Sequence, residues 1–243
     1  MSLLAGTLTP RIGRWVVIAG LLAALPSLLQ TLDERPDAAQ RQERLYFPSG
    51  KFLVESSLGF REAMADYLWF RFIQYYGAFR KGENDLRYMD LLVDGITRLD
   101  PRFVEGYYLP SLILWSDFGT PEKSLEVLKK GILHNPDTAK LKFQVGFIYY
   151  VFMREYDRAA FWFESAGACS DASDKEQRFA AFARYKAGDD QVSLELWYSL
   201  LESTDSPDMQ TLAVKMIKKL EARMGVPTRL TDWAWNLWTE PEA

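Results

Sequence analysis

Three pairs of residues suited to holding a polypeptide recur at a fixed step of 35: Lys140/Lys175, Phe147/Phe182 and Tyr150/Tyr185. Trp115 continues the tyrosine series one step back, and Arg178 lies one helical turn beyond Lys175. On a helix, such spacings of three to seven residues place side chains on a shared face. Cationic heads between aromatic walls suit an extended peptide bearing a carboxylate, with charge-assisted hydrogen bonds from the cations and buried area from the rings. Bond-making chemistry has far less to work with. The 243 residues include one histidine, His134, and one cysteine, Cys169, so neither an intrachain disulfide nor a cysteine-rich metal site can form. His134 stands beside the Asn135-Pro136 break and reads as a helix end. Asp189-Asp190 reads as a solvated helix start, not an acid/base pair. No catalytic residue, metal or cofactor is expected. The net charge of −4 gives no electrostatic case for nucleic acid.

The elements that must position these residues are helices, because the 35-residue step runs from Asp85 to Leu201. Val93, Leu128, Phe163 and Tyr198 form one column, and Ile96, Gly131, Ala166 and Leu201 a second. Met89, Ser124, Ala159 and Leu194 form a third, and Leu92, Val127, Trp162 and Trp197 a fourth. The columns lie three or four residues apart, as one helix face requires, and a period of this length signals helix pairs stacked into a solenoid. Gly146 and Tyr149, followed by Tyr156, Ala159, Phe163 and Ala166, resemble the tetratricopeptide (TPR) repeat over roughly residues 58–224. That motif places a small residue and an aromatic in its first helix, A, then Ala, an aromatic and Ala in its second, B. Pentatricopeptide proteins share the period and bind RNA, but the acidic balance argues against that reading. The TPR resemblance implies that A helices line a concave groove. Trp115, Lys140, Phe147, Tyr150, Lys175, Arg178, Phe182 and Tyr185 would then line a partner groove.

Punctuation predicts the helix bounds. An apolar-periodic helix from Leu58 ends at Lys81-Gly82, and Asn84 is placed to cap the next. A second pair runs from Arg102 to Trp115, with Pro110 inside it, and onward from Thr120-Pro121-Glu122, a hydroxyl cap followed by proline at the first position. A third spans Thr138–Ala168 and turns at Arg154-Glu155. A fourth spans Lys175–Leu201 around Gly188, and Pro207–Met224 forms a capping helix closed by Gly225. The stretch Leu58–Trp69 resembles the leading helix of bacterial envelope TPR proteins, which carry a Gly-x-Arg…Ala-Asp-x-x-Trp pattern. Arg61 and Asp66 would form a buried polar link there.

Residues 1–14 form a short tail, and residues 15–32 an apolar run that reads as a transmembrane anchor, with Trp15 at the interface. No Ala-x-Ala closes the run, which favours an anchor over a cleaved leader. Ala19/Ala23 and Gly20/Ala24 are small residues four apart that allow a second membrane helix to approach. Residues 33–57 are expected to form a charged linker and an extended segment, Tyr46–Val54, lying as a lid along the first pair. In the tail, residues 225–243, Trp233, Trp235 and Trp238 cannot share one helical face and are candidates for docking.

The reading is therefore an all-α, TPR-like right-handed solenoid with an N-terminal transmembrane helix. Its expected role is a non-catalytic scaffold or accessory subunit of a bacterial envelope complex for export, pilus assembly or transport. Partners would be membrane-complex subunits or an extended peptide, with the bilayer contacted through residues 15–32. The helical domain is expected outside the cytoplasm at the inner membrane. A freestanding module binding an extended acidic segment is the alternative.

Overall fold

The computed structural model describes residues 50–230, together with Ala24. Among the described residues there are ten α-helices and no strand. Helix α1 is Gly50–Ser56, α2 Arg61–Arg80, α3 Met89–Leu99, α4 Glu105–Ser116 and α5 Pro121–His134. Helix α6, Ala139–Ile148, continues through a π turn at Tyr149–Met153, and α7 is Tyr156–Gly167. Helices α8 (Asp174–Ala187), α9 (Asp190–Ser203) and α10 (Pro207–Met224) complete the set. They pack as antiparallel neighbours α2/α3, α4/α5, α6/α7 and α8/α9, each pair resting on the next, with α10 closing the far end. The chain is a TPR-like array of helix pairs.

Small residues set how closely the two helices of a pair approach. A methyl group on Gly131 of α5 would lie 2.7 Å from the ring of Tyr107 on α4, and one on Gly146 of α6 would lie 2.8 Å from Phe163 on α7. The Ser124 hydroxyl donates to the Ser111 carbonyl, and that of Ser193 to the Ala181 carbonyl, both at 2.8 Å. A B-helix side chain thus reaches A-helix backbone, which only small neighbours permit. Tyr107 is fully buried; burial first, and then Asp100, push its phenol up to about 12.

The uniform 35-residue register needs correction in the last pair. Val93, Leu128 and Phe163 are buried at steps of 35, as are Ile96, Gly131 and Ala166, but the next fully buried aromatic, Trp197, follows Phe163 by 34. In α9 it is Trp197, not Tyr198, that fills the core, and Ser193, not Leu194, that takes the place of Ser124. The A helices keep the step of 35, with Ile113, Ile148 and Ala183 buried in line. One residue is therefore lost in the turn between α8 and α9, where Gly188 at φ +89° closes α8 with only Asp189 before α9 begins.

Capping departs from expectation in two places. The Asn84 side chain donates back to the Tyr75 carbonyl and leaves α3 uncapped. The Thr120 hydroxyl donates to the Leu114 carbonyl of the preceding helix at 2.9 Å and does not cap α5. Pro121 and Pro207 do open their helices, and Ser173 with Glu176 forms a capping box on α8. Pro110 sits buried within α4, which continues through it.

Two N-terminal expectations are also corrected. Gly50–Val54 is not extended but belongs to α1, because Leu53 gains burial by packing over Gly95 beside Leu68. Arg61 and Asp66 are both exposed, so they form no buried link. The proposed anchor at 15–32, the segment 33–49 and the end of the tail, 231–243, lie outside the described residues, save Ala24. Among the described residues no helix is long and apolar enough to cross a membrane.

Candidate functional site

Consecutive A helices meet side by side along a seam from α4 through α6 to α8, and most of the predicted groove residues lie on it. At its upper end, Lys140 donates to Glu105 and stands 4.1 Å above the Tyr108 ring. One repeat on, Lys175 stands 4.2 Å above the Phe143 ring and pairs with the buried Glu176 at 3.0 Å. Each lysine therefore rises from the start of one A helix and lies over an aromatic of the A helix before it. These cations join repeats. Both remain about half-exposed, at 40% and 48%, so their direct contribution to stability is about 0–1 kcal/mol each. Arg178 makes no ion pair among the described residues and lies over the Phe179 ring.

The lower end of the seam is aromatic. Trp115 on α4 packs against Phe147 at 6.0 Å and Phe152 at 4.9 Å. Tyr150 packs among Tyr156, Phe163 and Phe179, and burial, then Tyr156, raises its phenol above the ordinary value. Phe152, Val151 and, at the end of α4, Phe118 remain 42%, 43% and 45% exposed. The π turn carrying Val151 and Phe152 ends at Arg154, whose backbone is left-handed at φ +55°. The π turn sets Phe152 against Trp115, and the left-handed Arg154 ends it.

Two predicted residues belong to different surroundings. Phe182 turns towards its own B helix and meets Trp197 edge-on at 4.9 Å, so it lies off the seam. Tyr185 reaches α10, with Lys219 and Arg223 each 4.8 Å from its ring; the Lys219 hydrogen bond, followed by the cations' charge, lowers its phenol. Ala24 is an exposed helical residue. Ala19, Gly20 and Ala23, like Trp233, Trp235 and Trp238, lie outside the described residues. At the start of the tail, Arg229 bonds Glu195 at 2.9 Å and covers the Tyr198 ring at 4.3 Å, which turns the chain back over α9.

Sequence reasoning missed Glu105, Tyr108, Phe143, Val151, Phe152 and Phe118. The first three stand in the same 35-step columns as Lys140, Lys175 and Arg178, so the register already paired them. Phe152 had no such signal, because the π turn that aims it leaves no periodic trace. Asp189 and Asp190 pair with Arg184 and Arg223 as helix-start contacts. Among the described residues no group of three or more His, Cys, Asp or Glu is placed to hold a metal.

No family model matches the chain, and no curated protein matches it. Among solved structures it is similar to TTC0263, a thermophilic TPR protein of Thermus thermophilus, at 18% identity. That match covers 69% of this chain and 98% of that one, with a TM-score of 0.41. It is also similar to MamA (41-end) of Desulfovibrio magneticus at 18% identity, covering 70% and 94%, with a TM-score of 0.44. The helix-pair architecture stands on the chain's own packing.

Proposed function

We propose that this chain is a non-catalytic scaffold, tethered to a membrane through residues 15–32, that holds a partner protein along its A-helix seam. The observation that carries this reading is the exposed Phe152 packed on Trp115, with exposed Val151 next to it in the π turn and exposed Phe118 past the end of α4, where it stacks on Phe79. Rigid aromatic surface of this kind supplies contact area with little side-chain entropy to lose. An apolar extended segment fits it better than an acidic one, because Lys140 and Lys175 already face carboxylates. The setting we propose is a bacterial envelope complex, with the helical domain outside the cytoplasm. A second reading, an acidic segment drawn to Arg178 and the exposed flanks of the two lysines, is favoured only by Arg178 lacking an ion partner among the described residues.

The test is purification of the full chain in mild detergent, with its companions identified by mass spectrometry. Val151→Ser with Phe152→Ser should release the companion at every salt concentration, whereas Lys215→Ala on the outer face of α10 should retain it. Release by salt alone, with retention in the serine variant, would favour the acidic reading. A monomer without companions would overturn the scaffold reading.

A further inference from the structure

Five of the thirteen exposed large apolar side chains among the described residues fall within the sixteen residues Leu58–Ile73. Leu58 is 85% exposed, Phe60 74%, Tyr67 55%, Phe70 58% and Ile73 39%. Leu58 holds a left-handed backbone at φ +48°, which is strained for leucine, and Gly59 follows at φ +92°. The helix after this turn is apolar on both sides. Its inner face buries Ala65, Leu68 and Phe72, while Ala63, Tyr67, Phe70 and Ile73 point outward with Asp66 and Gln74 among them. In the interior of the array that outer position would meet the preceding pair; among the described residues only the short α1, and no helix pair, precedes α2. With roughly 200 Å² per aromatic ring, the exposed Phe60, Tyr67, Phe70 and Ile73 amount to about 450 Å², the size of the largest apolar patch a monomer normally leaves open, which is often a functional one.

Resting on the tether reading above, we infer that this outer face of α2, with the Leu58–Phe60 turn, lies on the bilayer surface. Chain length favours lipid. The apolar run 15–32 precedes Gly50 by seventeen residues, which reach at most about 60 Å, so α2 and not α10 is the end held near the headgroups. Composition agrees: Phe and Tyr rings seat at the interface, with Arg61 exposed and Arg71 one turn beyond Tyr67 at one edge. Glu62 borders the other edge and Asp66 lies between Phe70 and Ile73, so contact should be shallow and should not depend on anionic lipid. A second copy fits less well, since about 450 Å² is short of the roughly 800 Å² per partner that stable interfaces bury. The upstream segment 33–44 offers mostly charged and polar side chains to such a face, and only Leu45, Tyr46 and Phe47 beyond it are apolar, too few to cover the face.

Nitroxide labels on the full chain in phosphatidylcholine vesicles test the inference, with Phe70→Cys and Lys215→Cys compared in separate samples. Cys169 is buried and is replaced by Ala in both. The label at 70 should be at least about threefold less accessible to an aqueous nickel reagent than that at 215, while oxygen access rises, as interfacial burial requires. Equal nickel access at the two sites, in chains that float with the vesicles, overturns the inference and leaves the tether standing. Chains that fail to float overturn both. Loss of access to both reagents at 70 means that protein covers the face: spin–spin broadening assigns it to a second copy, and its absence to the chain's own upstream segment. Either result overturns lipid contact.

Discussion

Helix α2 at one end of the array buries Ala65, Leu68 and Phe72, and α10 at the other buries Val214, Ile217 and Leu220. Their inner faces are interchangeable in kind. Their outer faces are not. The outward side of α10 carries Asp208, Thr211, Lys215 and Lys218, whereas that of α2 carries Ala63, Tyr67, Phe70 and Ile73 with only Asp66 and Gln74 among them. A stack of helix pairs exposes an apolar side at each end unless a polar-faced helix finishes it. Helix α10 is such a finish, and α2 is not. The difference separates a helix that ends a fold from one that offers a surface.

The largest effects should be equal at the two ends, because they come from the inner faces. Phe72→Ala is expected to cost about 3–5 kcal/mol and Leu220→Ala about 2–5 kcal/mol, as cavities open at fully buried sites. Urea unfolding of each variant measures this. A negligible loss at Phe72 would mean that α2 is not integral to the array.

A smaller effect contrasts the middle of the array with the open face of α2. Gly131→Ala should cost about 1–3 kcal/mol, because the new methyl meets the Tyr107 ring. Gly77→Ala adds the same methyl where nothing lies within 4 Å, so it should gain roughly 0.5–1 kcal/mol from helix propensity. Opposite signs in the two melting temperatures would confirm that α2 has free space on that side.

Glu176 gives a smaller effect, and one that depends on pH. Burial pushes its carboxyl up, but hydrogen bonds from Ser173 and Lys175 outweigh burial and hold it below the usual 4.5. A depressed folded value stabilises the fold above the unfolded value and ceases to do so as pH falls through the folded one. Glu176→Gln should therefore cost about 0.5–2 kcal/mol at pH 7, as lost caps do. The gap from the parent should close as the pH drops below the ordinary carboxylate range. A gap that is constant with pH would separate Glu176 from the cap.

Much of the fold was legible because tight helix contacts write small residues into a period. Gly131, Gly146 and Ala166 carry that signal, and proline and glycine mark helix bounds at Pro121, Pro207 and Gly225. The register slip in α9 was hidden, since Trp197 and Tyr198 are both aromatic and only packing decides which goes inside. Gly50–Val54 looked extended from Pro48-Ser49-Gly50, but the burial of Leu53 over Gly95 overrides local preference. The candidate site was legible as columns and illegible as contacts. The same register that aligned Lys140 with Lys175 aligned Glu105 and Tyr108 beneath them, which turns presumed ligand contacts into joints between repeats. Phe152 depends on a π turn, which has no periodicity to read.

The contrast between the two ends is tested most directly by paired unfolding of the full chain carrying either Phe72→Ala or Tyr67→Ser with Phe70→Ser. If the outer face of α2 is reserved for contact beyond the fold, the double serine variant should unfold within about 0.5 kcal/mol of the parent. Phe72→Ala should lose several kcal/mol under the same conditions. A double serine variant that falls as far as Phe72→Ala would show that the chain covers α2 itself, and that both ends are finished.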